Sequence, residues 1–351
     1  GITYNAYLIM DEKITLIDTC KATFSNELVQ RISQVVDPAK IDVVITNHVE
    51  MDHSGSLPVI HKIAPNAQIY ASAGAGVNEV KAHFGIEATP VKSGDTLNIG
   101  ERTLTFVTTP MVHWPDNMVT YSDVDQILFS NDAFGQHYAT TKRFDDENDL
   151  CEIMKQAKKY YANIVWHKAL EAVKGLELKM IAPSHGCIWR SHIDKILEKY
   201  EAWTTYQTEE KAVVVFDSMW HSTEMMAREI CDSFIAEGIS AKLIDVKASH
   251  ISDIMTDLCD ARYVAVGSPT LNSNMLPTVA RQVTVTVSSS RSGLPSRVIP
   301  VSVKPPFSSL TSMAMPLTTG REPQLNGVKP PSQPSTKARR VSVSSAPFIV
   351  R

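Results

Sequence analysis

The segment NHVEMDHSG (residues 47–55) places two imidazoles and two carboxylates within six consecutive positions. It directly follows an apolar run that predicts a buried strand. These side chains would repel each other or remain expensively desolvated unless a cation paired with them. Alternation along an extended segment would point His48, Glu50 and Asp52 to one side. His53 would enter from the start of the next helix, so the segment predicts a divalent metal site with room for two ions.

Three further candidate ligands follow later apolar runs, each next to a chain-breaking residue. They are His113 after residues 104–108, Asp132 after residues 127–130, and His185 after residues 180–182. An isolated histidine near a turn is more often a surface or capping residue. Together with the first cluster, however, the order and spacing of the three predict a binuclear site.

The chain divides into two predicted domains and a compositionally different tail. Strands mixed with helices run to about residue 205 and predict sheets layered between helices. Residues 210–280 alternate strand, helix, strand, helix, strand, the pattern of a doubly wound parallel sheet with ligand loops beyond the carboxyl ends of its strands. Residues 281–351 are rich in Ser, Pro, Thr, Val and Arg, and we expect them to be disordered or non-native in origin. Three strands alone would leave one sheet edge uncovered.

The formal net charge of −4 hides an uneven distribution. Residues 281–351 contain 10 of the 34 Lys and Arg residues but only 1 of the 38 Asp and Glu residues. The rest of the chain is therefore acidic, which argues against a nucleic-acid partner. The five cysteines form no CxxC pair, and no apolar run approaches the roughly 20 residues that span a bilayer. We expect a cytoplasmic protein without a membrane partner.

The order HxExDH, His, Asp, His resembles the metallo-β-lactamase superfamily in its flavodiiron branch. Zinc hydrolases of the superfamily typically have histidine where Glu50 stands, and a carboxylate there favours iron because it is a harder ligand. The resemblance covers about residues 1–280. It implies an α/β fold in which a metallo-β-lactamase-like αββα sandwich (residues 1–205) precedes an incomplete flavodoxin-like doubly wound parallel sheet (residues 210–280). Family members begin some tens of residues ahead of Tyr4, so it also implies a truncated N-terminus.

The resemblance further implies how the seven candidate ligands divide between two irons. His48, Glu50 and His113 would bind one iron, Asp52, His53 and His185 the other, and Asp132 would bridge the two.

Two loops of the second domain resemble the FMN loops of flavodiiron proteins. The first contains Ser218, Met219, Trp220, His221, Ser222 and Thr223, and the second contains Pro269, Thr270, Leu271 and Asn272. Hydroxyls and amides at a helix N-terminus form a phosphate site, although Ser and Thr there are also ordinary N-caps. His221 stands where a small residue, often glycine, is usual. The third FMN loop of the family has no counterpart in residues 281–351, so we expect FMN binding to be impaired.

The resemblance implies a cytoplasmic oxidoreductase that reduces O2 to water, nitric oxide to N2O, or both, with two irons and FMN as cofactors. A rubredoxin-like or flavin-bearing protein would donate electrons, and a head-to-tail homodimer or a dimer of dimers would bring one subunit's FMN to its partner's irons. Trp114 and Phe134 flank ligands and are candidates to shield a gas pocket, or plain core residues. The alternatives are a zinc-dependent metallo-β-lactamase-like hydrolase and an inactive remnant with an impaired flavin domain.

Overall fold

The computed structural model describes residues 1–164, 170, 173–280, 299–301 and 348–350. In the first domain, two five-stranded sheets face each other. The first sheet contains β1 (Tyr7–Ile9), β2 (Thr15–Ile17), β3 (Val43–Thr46), β4 (Gln68–Ser72) and β5 (Thr89–Val91), in that order. The second contains β6 (Thr96–Asn98), β7 (Thr103–Thr108), β8 (Met118–Ser122), β9 (Ile127–Asn131) and β10 (Met180–Pro183), also in chain order. The helices of this domain are α1 (Ser25–Ser33), α2 (Met51–Ser54), α3 (Leu57–Ile63), α4 (Ala75–Phe84), α5 (Leu150–Asn163) and α6 (Ile193–Thr204).

The apolar run in β3 is continuous because both faces of its sheet are covered. Val43 and Ile45 point into the core between the two sheets, where they pack with Phe106 of β7. Val44 points the other way, into the core beneath α1, α3 and α4. On the far side, α5 and α6 cover the second sheet. These four layers confirm the predicted αββα sandwich.

The strand directions place several loops at one edge of the second sheet. β9 and β10 run parallel, and β8 is antiparallel to both β7 and β9. The carboxyl ends of β7, β9 and β10 therefore lie on the same side. In the first sheet, β2, β3 and β4 are parallel. The loops that follow these strands are where the predicted ligands lie.

The second domain is a parallel sheet with a helix on each face. It is built from β11 (Glu209–Phe216), α7 (Ser222–Ala236), β12 (Ser240–Asp245), α8 (Ile251–Leu258) and β13 (Ala261–Gly267). Val214 packs against α7, whereas Val213 and Val215 pack against α8. β11 pairs in parallel with β12 and β13, which confirms the flavodoxin-like, doubly wound prediction.

A short hairpin follows β13, formed by β14 (Thr270–Leu271) and β15 (Asn274–Met275). Two further strands, β16 (Ile299–Val301) and β17 (Phe348–Val350), extend the sheet beyond β13. Both β13–β17 and β16–β17 pair antiparallel. The sequence predicts that residues 281–351 are disordered or non-native in origin. Most of these residues lie outside the described ranges, so this prediction is not tested. Across the described ranges, no helix is both long and apolar enough to cross a lipid bilayer.

The two domains meet where α5 lies against α8. Lys159 Nζ is 2.6 Å from Asp253 Oδ1, and Lys158 Nζ is 2.5 Å from Asp260 Oδ2. Asp260 is almost fully buried and also pairs with Lys211 at the beginning of β11. The contact thus runs along α8, from Asp253 in its first turn, which follows β12, to Asp260 directly before β13.

Candidate metal centre and flavin loops

The ligand-rich segment leaves β3 and turns at once into α2. His48 lies beyond the strand, Glu50 directly precedes the helix, and Asp52 and His53 lie within its single turn. The prediction of an extended segment through Asp52 is therefore wrong, because the backbone becomes helical at Met51. Asp52 and His53 nevertheless stay close, with 3.4 Å between Oδ1 of the carboxylate and Nε2 of the imidazole.

His48, Glu50 and His113 form one group of donor atoms. Glu50 Oε2 lies 3.3 Å from His48 Nε2 and 3.2 Å from His113 Nε2. His48 is fully buried, whereas Glu50 and His113 are partly exposed. The three could hold a metal ion, because their donor atoms all lie within 4.8 Å of one another.

Asp52, His53 and His185 form a second group of the same size. His185 Nε2 lies 3.4 Å from Asp52 Oδ2, and both imidazoles are buried. His48, His53 and Asp132 also lie close enough to share an ion, so the division of the ligands between two irons stays a prediction.

Asp132 lies between the groups and offers one oxygen to each. Its Oδ2 is 3.3 Å from His113 Nε2 and 3.7 Å from His48 Nε2. Its Oδ1 is 3.2 Å from His53 Nε2 and 3.3 Å from His185 Nε2. The side chain is 1% exposed. All seven predicted ligands therefore converge, with a carboxylate in the bridging position.

The contacts within this cluster fit metal ions better than hydrogen bonds. Asp132 Oδ2 and Asp52 Oδ1 are buried but have no hydrogen-bond partner among the described residues. Each lies within 3.4 Å of an imidazole nitrogen, yet without the geometry of a hydrogen bond. Separations of 3.2–3.4 Å suit donor atoms that share an ion about 2.0–2.2 Å from each of them. A donor set of three carboxylates and four imidazoles suits iron.

The electrostatics of the cluster also favour bound cations. Burial opposes a charge on His48, but its hydrogen bonds to Asp116 and Glu50 outweigh this effect and raise its pKa to about 10. Burial also opposes the charge of Asp132, yet the nearby imidazoles of His53, His113 and His185 keep the pKa of Asp132 well below its usual range. The carboxylates thus create a field that attracts positive charge.

Hydrogen bonds at Nδ1, on the side away from the centre, orient the imidazoles of His48 and His185. Asp116 Oδ2 accepts hydrogen bonds from His48 Nδ1 (2.8 Å) and from the backbone N–H of Val49 (2.6 Å). The carbonyl of Thr3 accepts a bond from His185 Nδ1 at 2.5 Å. With Nδ1 engaged as a donor, Nε2 of each ring is left free to face the centre. Sequence reasoning missed both partners: Asp116 lies three residues after the candidate ligand His113, but Thr3 carries no local signal.

Tyr160 of α5 is a further contact that the sequence did not predict. Its hydroxyl donates a 2.7 Å hydrogen bond to Asp132 Oδ1. Burial, and to a lesser extent the charge of Asp132, raises the pKa of Tyr160 well above its usual value. The His137 ring packs edge-on against Tyr160, with ring centroids 4.8 Å apart, and against His185 at 5.4 Å. Burial and the charge of His185 lower the pKa of His137 to about 4, so this imidazole is neutral near pH 7.

The two aromatic residues proposed to shield the centre have different environments. The Trp114 indole stands edge-on to His48, with ring centroids 5.3 Å apart, and is 38% exposed, so it covers the centre from the solvent side. Phe134 is fully buried and packs against Tyr200 in the core beneath α5 and α6. Its role is that of a core residue.

The first flavin loop joins β11 to α7. Trp220 is 85% exposed and Met219 is also exposed. His221 has a left-handed backbone with φ of 65°, which explains why a glycine suits this position. Ser222 and Thr223 begin α7, and the amides of its first turn are directed toward the loop. The hydroxyl of Ser218 is buried without a hydrogen-bond partner within the described ranges, and a ligand phosphate would satisfy it.

The second flavin loop lies beside the first because β11 and β13 are neighbouring parallel strands. The backbone N–H of Asp217 donates to the carbonyl of Gly267 at 3.1 Å, which ties the starts of the two loops together. Pro269 precedes the β14–β15 hairpin, in which Leu271 is exposed and Asn272 has a left-handed conformation. The two loops thus lie side by side at the edge where ligands bind in sheets of this type.

A metal-binding αββα domain joined to a flavodoxin-like domain is the class of protein that this fold and site define. Comparison with family models agrees: the ODP family β-lactamase model matches residues 2–186, and the flavodoxin model matches residues 214–288. The second match reaches eight residues beyond the domain boundary that the sequence predicted.

Similar proteins include a nitric oxide reductase from Moorella thermoacetica, 43% identical over 291 residues, or 80% of this chain and 73% of that protein. The rubredoxin-oxygen oxidoreductase of Megalodesulfovibrio gigas is 42% identical over 293 residues, again 80% and 73%. The crystal structure of the flavodiiron protein from Giardia intestinalis matches with a TM-score of 0.78 and 36% identity, covering 82% of this chain and 73% of that one. The chain belongs to the flavodiiron protein family.

Proposed function

We propose that this protein is an oxidoreductase that reduces O2 to water, nitric oxide to N2O, or both. The observation that carries the proposal is the pair of three-residue ligand groups joined by Asp132, in a chain that also has a flavodoxin-like ligand edge. The names of the relatives, which include nitric oxide reductase and rubredoxin-oxygen oxidoreductase, support the same reaction class. The proposed domains that carry this function are residues 1–205 and 210–280.

The seven converging side chains are the proposed iron ligands. His48, Glu50 and His113 would hold one iron, Asp52, His53 and His185 the second, and Asp132 both. The proposed FMN ligands are residues 218–223 and 269–272. When bound, a ferrous pair supplies two electrons and open coordination positions for a diatomic gas, and reduced FMN supplies two more electrons. Reduction of O2 to two waters takes four electrons and four protons, whereas coupling two NO to N2O and water takes two of each.

Residues of the chain control access and protons around this centre. Trp114 covers His48 and limits the entry of water, so that a small apolar gas has an advantage over larger polar molecules. Tyr160 keeps its proton on the hydroxyl oxygen and donates it in a hydrogen bond to Asp132, which fixes the bridging carboxylate. His137 is a neutral imidazole beside the centre, so it can form a hydrogen bond there without adding charge.

The domain arrangement favours a head-to-tail homodimer, or a dimer of such dimers. Within one chain, α5 contacts the second domain at Asp253 in α8 and at Asp260 directly before β13, whereas the proposed flavin loops follow the carboxyl ends of β11 and β13. The seven residues of β13 rise roughly 3.3 Å each, so this strand places the second loop about 20 Å from Asp260. In the proposed dimer, a flavin at these loops would serve the metal centre of the second copy.

We further propose that a rubredoxin-like or flavin-bearing protein donates electrons and that the protein works in the cytoplasm. The testing experiment combines metal and flavin analysis of the purified chain with O2 and NO consumption under a reduced donor. Two iron atoms per chain, bound FMN and donor-dependent gas consumption are expected. Two zinc atoms with lactam or thioester hydrolysis would favour the hydrolase instead. Iron without FMN and without gas consumption would favour the inactive remnant.

A further inference from the structure

Lys247 follows β12 and reaches across to the first flavin loop. Its Nζ lies 2.9 Å from Asp217 Oδ1 and donates a 2.6 Å hydrogen bond to the carbonyl of Ser218. The lysine side chain is 52% exposed, whereas that of Asp217 is 4% exposed. A 3.0 Å bond from the backbone N–H of Val246 to the carbonyl of Phe216 ties the lysine-bearing loop to the end of β11. The ammonium group therefore has a defined position beside the flavin loop and remains open to solvent.

Asp217 is a buried carboxylate that directly precedes the proposed FMN ligands. Its Oδ1 accepts a 2.6 Å hydrogen bond from the backbone N–H of Ser218, and its Oδ2 accepts a 2.5 Å bond from the hydroxyl of Thr278. Burial opposes the charge of Asp217, but Thr278, Lys247 and the Ser218 amide outweigh this effect and lower its pKa. The carboxylate is therefore negative near pH 7, and it holds the loop at the cost of a charge that repels anions.

The phosphate of a bound flavin would lie beside this carboxylate. The hydroxyl of Ser218 is buried and has no hydrogen-bond partner in the part of the chain that the structure describes. The first turn of α7, which begins at Ser222, directs its amides toward the same loop. A phosphate monoester that satisfies these donors carries a charge of about −1.5 to −2 near pH 7. The residue next to Ser218 thus presents a negative charge to a negative ligand group.

The other charges around Lys247 leave it as the counter-charge for Asp217. Glu224, in the first turn of α7, already contacts Arg228 at 2.7 Å and His221 at 2.9 Å. Asp245, at the end of β12, adds a further negative charge and accepts the backbone N–H of Lys247 at 2.9 Å. Without the ammonium group, this end of the sheet would present an uncompensated negative field to the phosphate.

We propose that Lys247 makes the flavin loops selective for a phosphorylated flavin by neutralising Asp217 beside the phosphate site. The inference rests on the proposed function only in requiring that these loops bind FMN. The lysine is a specificity-determining residue in this view, because its charge acts on the phosphate and not on the flavin ring. A lysine that merely ordered the loop would improve the binding of FMN and of riboflavin, which lacks the phosphate, by the same factor.

The test is Lys247→Gln, examined by flavin binding rather than by turnover. Purified full-length chain, freed of bound flavin, is titrated with FMN and separately with riboflavin, and the change in flavin fluorescence gives each Kd. The ratio of the riboflavin Kd to the FMN Kd measures what the phosphate contributes. We expect this ratio to fall about 10-fold, which is the scale on which a unit charge close to a phosphate acts near a protein surface. The fall should become smaller in high salt, because ions screen half-exposed charges.

Two further variants separate charge from loop structure. Asp217→Asn removes the negative charge and leaves Lys247 unpaired, so the ratio should rise above that of the unmodified chain. Asp217→Asn combined with Lys247→Gln restores neutrality, so its ratio should return close to the unmodified value even if both flavins bind more weakly.

Lys242→Gln is the matched control. Lys242 lies on β12, three residues before the end of the strand, and contacts Asp257 of α8 at 2.6 Å. The substitution removes the same charge from a similar ion pair that does not contact the flavin loops. We expect the ratio to remain unchanged.

An unchanged ratio in Lys247→Gln, or an equal fall in Lys242→Gln, would overturn the inference. So would a double variant whose ratio stays as low as that of Lys247→Gln. If Lys247→Gln does not fold, the comparison of Asp217→Asn with the unmodified chain decides, and a ratio that does not rise overturns the inference. Failure of the unmodified chain to bind either flavin would instead refute the proposed FMN site, and the inference with it, so the two failures are distinguishable.

Discussion

Asp116 is the most direct test of how the centre is supported, because it contacts a proposed ligand without being one. Its Oδ2 accepts two hydrogen bonds, from His48 Nδ1 at 2.8 Å and from the Val49 backbone at 2.6 Å, in a site that is 1% exposed. Asp116→Asn keeps the size of the side chain and one acceptor oxygen, but removes the charge from both bonds. We expect the metal affinity to fall, because His48 loses the partner that orients its ring and raises its basicity.

The size of the effect follows from the strength of the two bonds. A hydrogen bond to a charged group contributes about 1.5–3 kcal/mol, and a neutral one about 0.5–1.5 kcal/mol. The substitution therefore removes roughly 1–1.5 kcal/mol per bond. Only the bond to His48 reports directly on the metal, so the expected loss is about 10-fold in affinity. Asp116→Ala leaves both donors buried without a partner, and its loss should approach 100-fold.

The assay is equilibrium Fe(II) binding under anaerobic conditions, in competition with a chelator, for the unmodified chain and both variants. Asp145 supplies a matched control because it bonds His192 Nδ1 at 2.9 Å and the backbone N–H of His192 at 2.7 Å, in a similar buried arrangement. His192 is not a proposed ligand. Asp145→Asn should destabilise the fold and leave the Fe(II) affinity unchanged. Unchanged affinity in Asp116→Asn, or an equal loss in the control, would refute the reasoning.

Three further predictions concern neighbouring features. Tyr160→Phe removes the hydrogen bond to the bridging carboxylate and should lower the free energy of unfolding of the metal-free protein by about 1.5–3 kcal/mol, measured in urea; no change would contradict the contact. Trp114→Ala should expose His48 and accelerate iron removal by a chelator, whereas an unchanged rate would exclude a covering role. The Arg102 hydrogen bonds lower the pKa of Asp125, so this pair stabilises the fold above the ordinary pKa of 3.8, and its contribution is lost as the pH falls through the lower folded value. Arg102→Gln should therefore flatten acid unfolding below about pH 4, followed by circular dichroism, and an unchanged acid profile would contradict the pairing.

The ligand positions could be predicted from sequence because each follows a strand whose end is visible locally. The run before His48 is apolar on both faces, and Asp132 and His185 directly follow short apolar strands beside chain breakers. Carboxyl ends of parallel strands meet at one edge, so local patterns imply a common site. The conformation between Glu50 and Asp52 could not be predicted in this way, because a one-turn helix has no periodicity to detect.

Strands with weak local signals escaped prediction. β5 (Thr89–Val91) and β6 (Thr96–Asn98) are three residues long and mostly exposed, so neither shows the apolar run or alternation that marks a strand. They pair at the far edges of the two sheets, where burial demands little of their sequence. Tertiary pairing rather than local preference creates such strands.

The groups that support the proposed ligands could not be identified from the sequence either. The carbonyl of Thr3 meets His185 across most of the first domain, and any residue type could have supplied that carbonyl. Tyr160 has the spacing of an ordinary core residue on α5, where it follows Ile153 and Ala157 on the buried face. Only the packing of α5 onto the second sheet determines that its hydroxyl reaches Asp132. Chemistry of this kind is set by the fold as a whole.

The distribution of the ligands links metal affinity to the integrity of the whole first domain. His48 and His185 come from different sheets and are separated by most of that domain, so no local segment can hold two ions by itself. Binding energy at such a site is available only when the sheets are correctly docked, and part of it therefore stabilises the docking. The two sheets are also linked behind the ligands, where the Asp18 carboxylate accepts bonds from Asn47 of one sheet and Asn131 of the other. A protein built in this way should gain more stability from its metal ions than one whose ligands lie on a single loop.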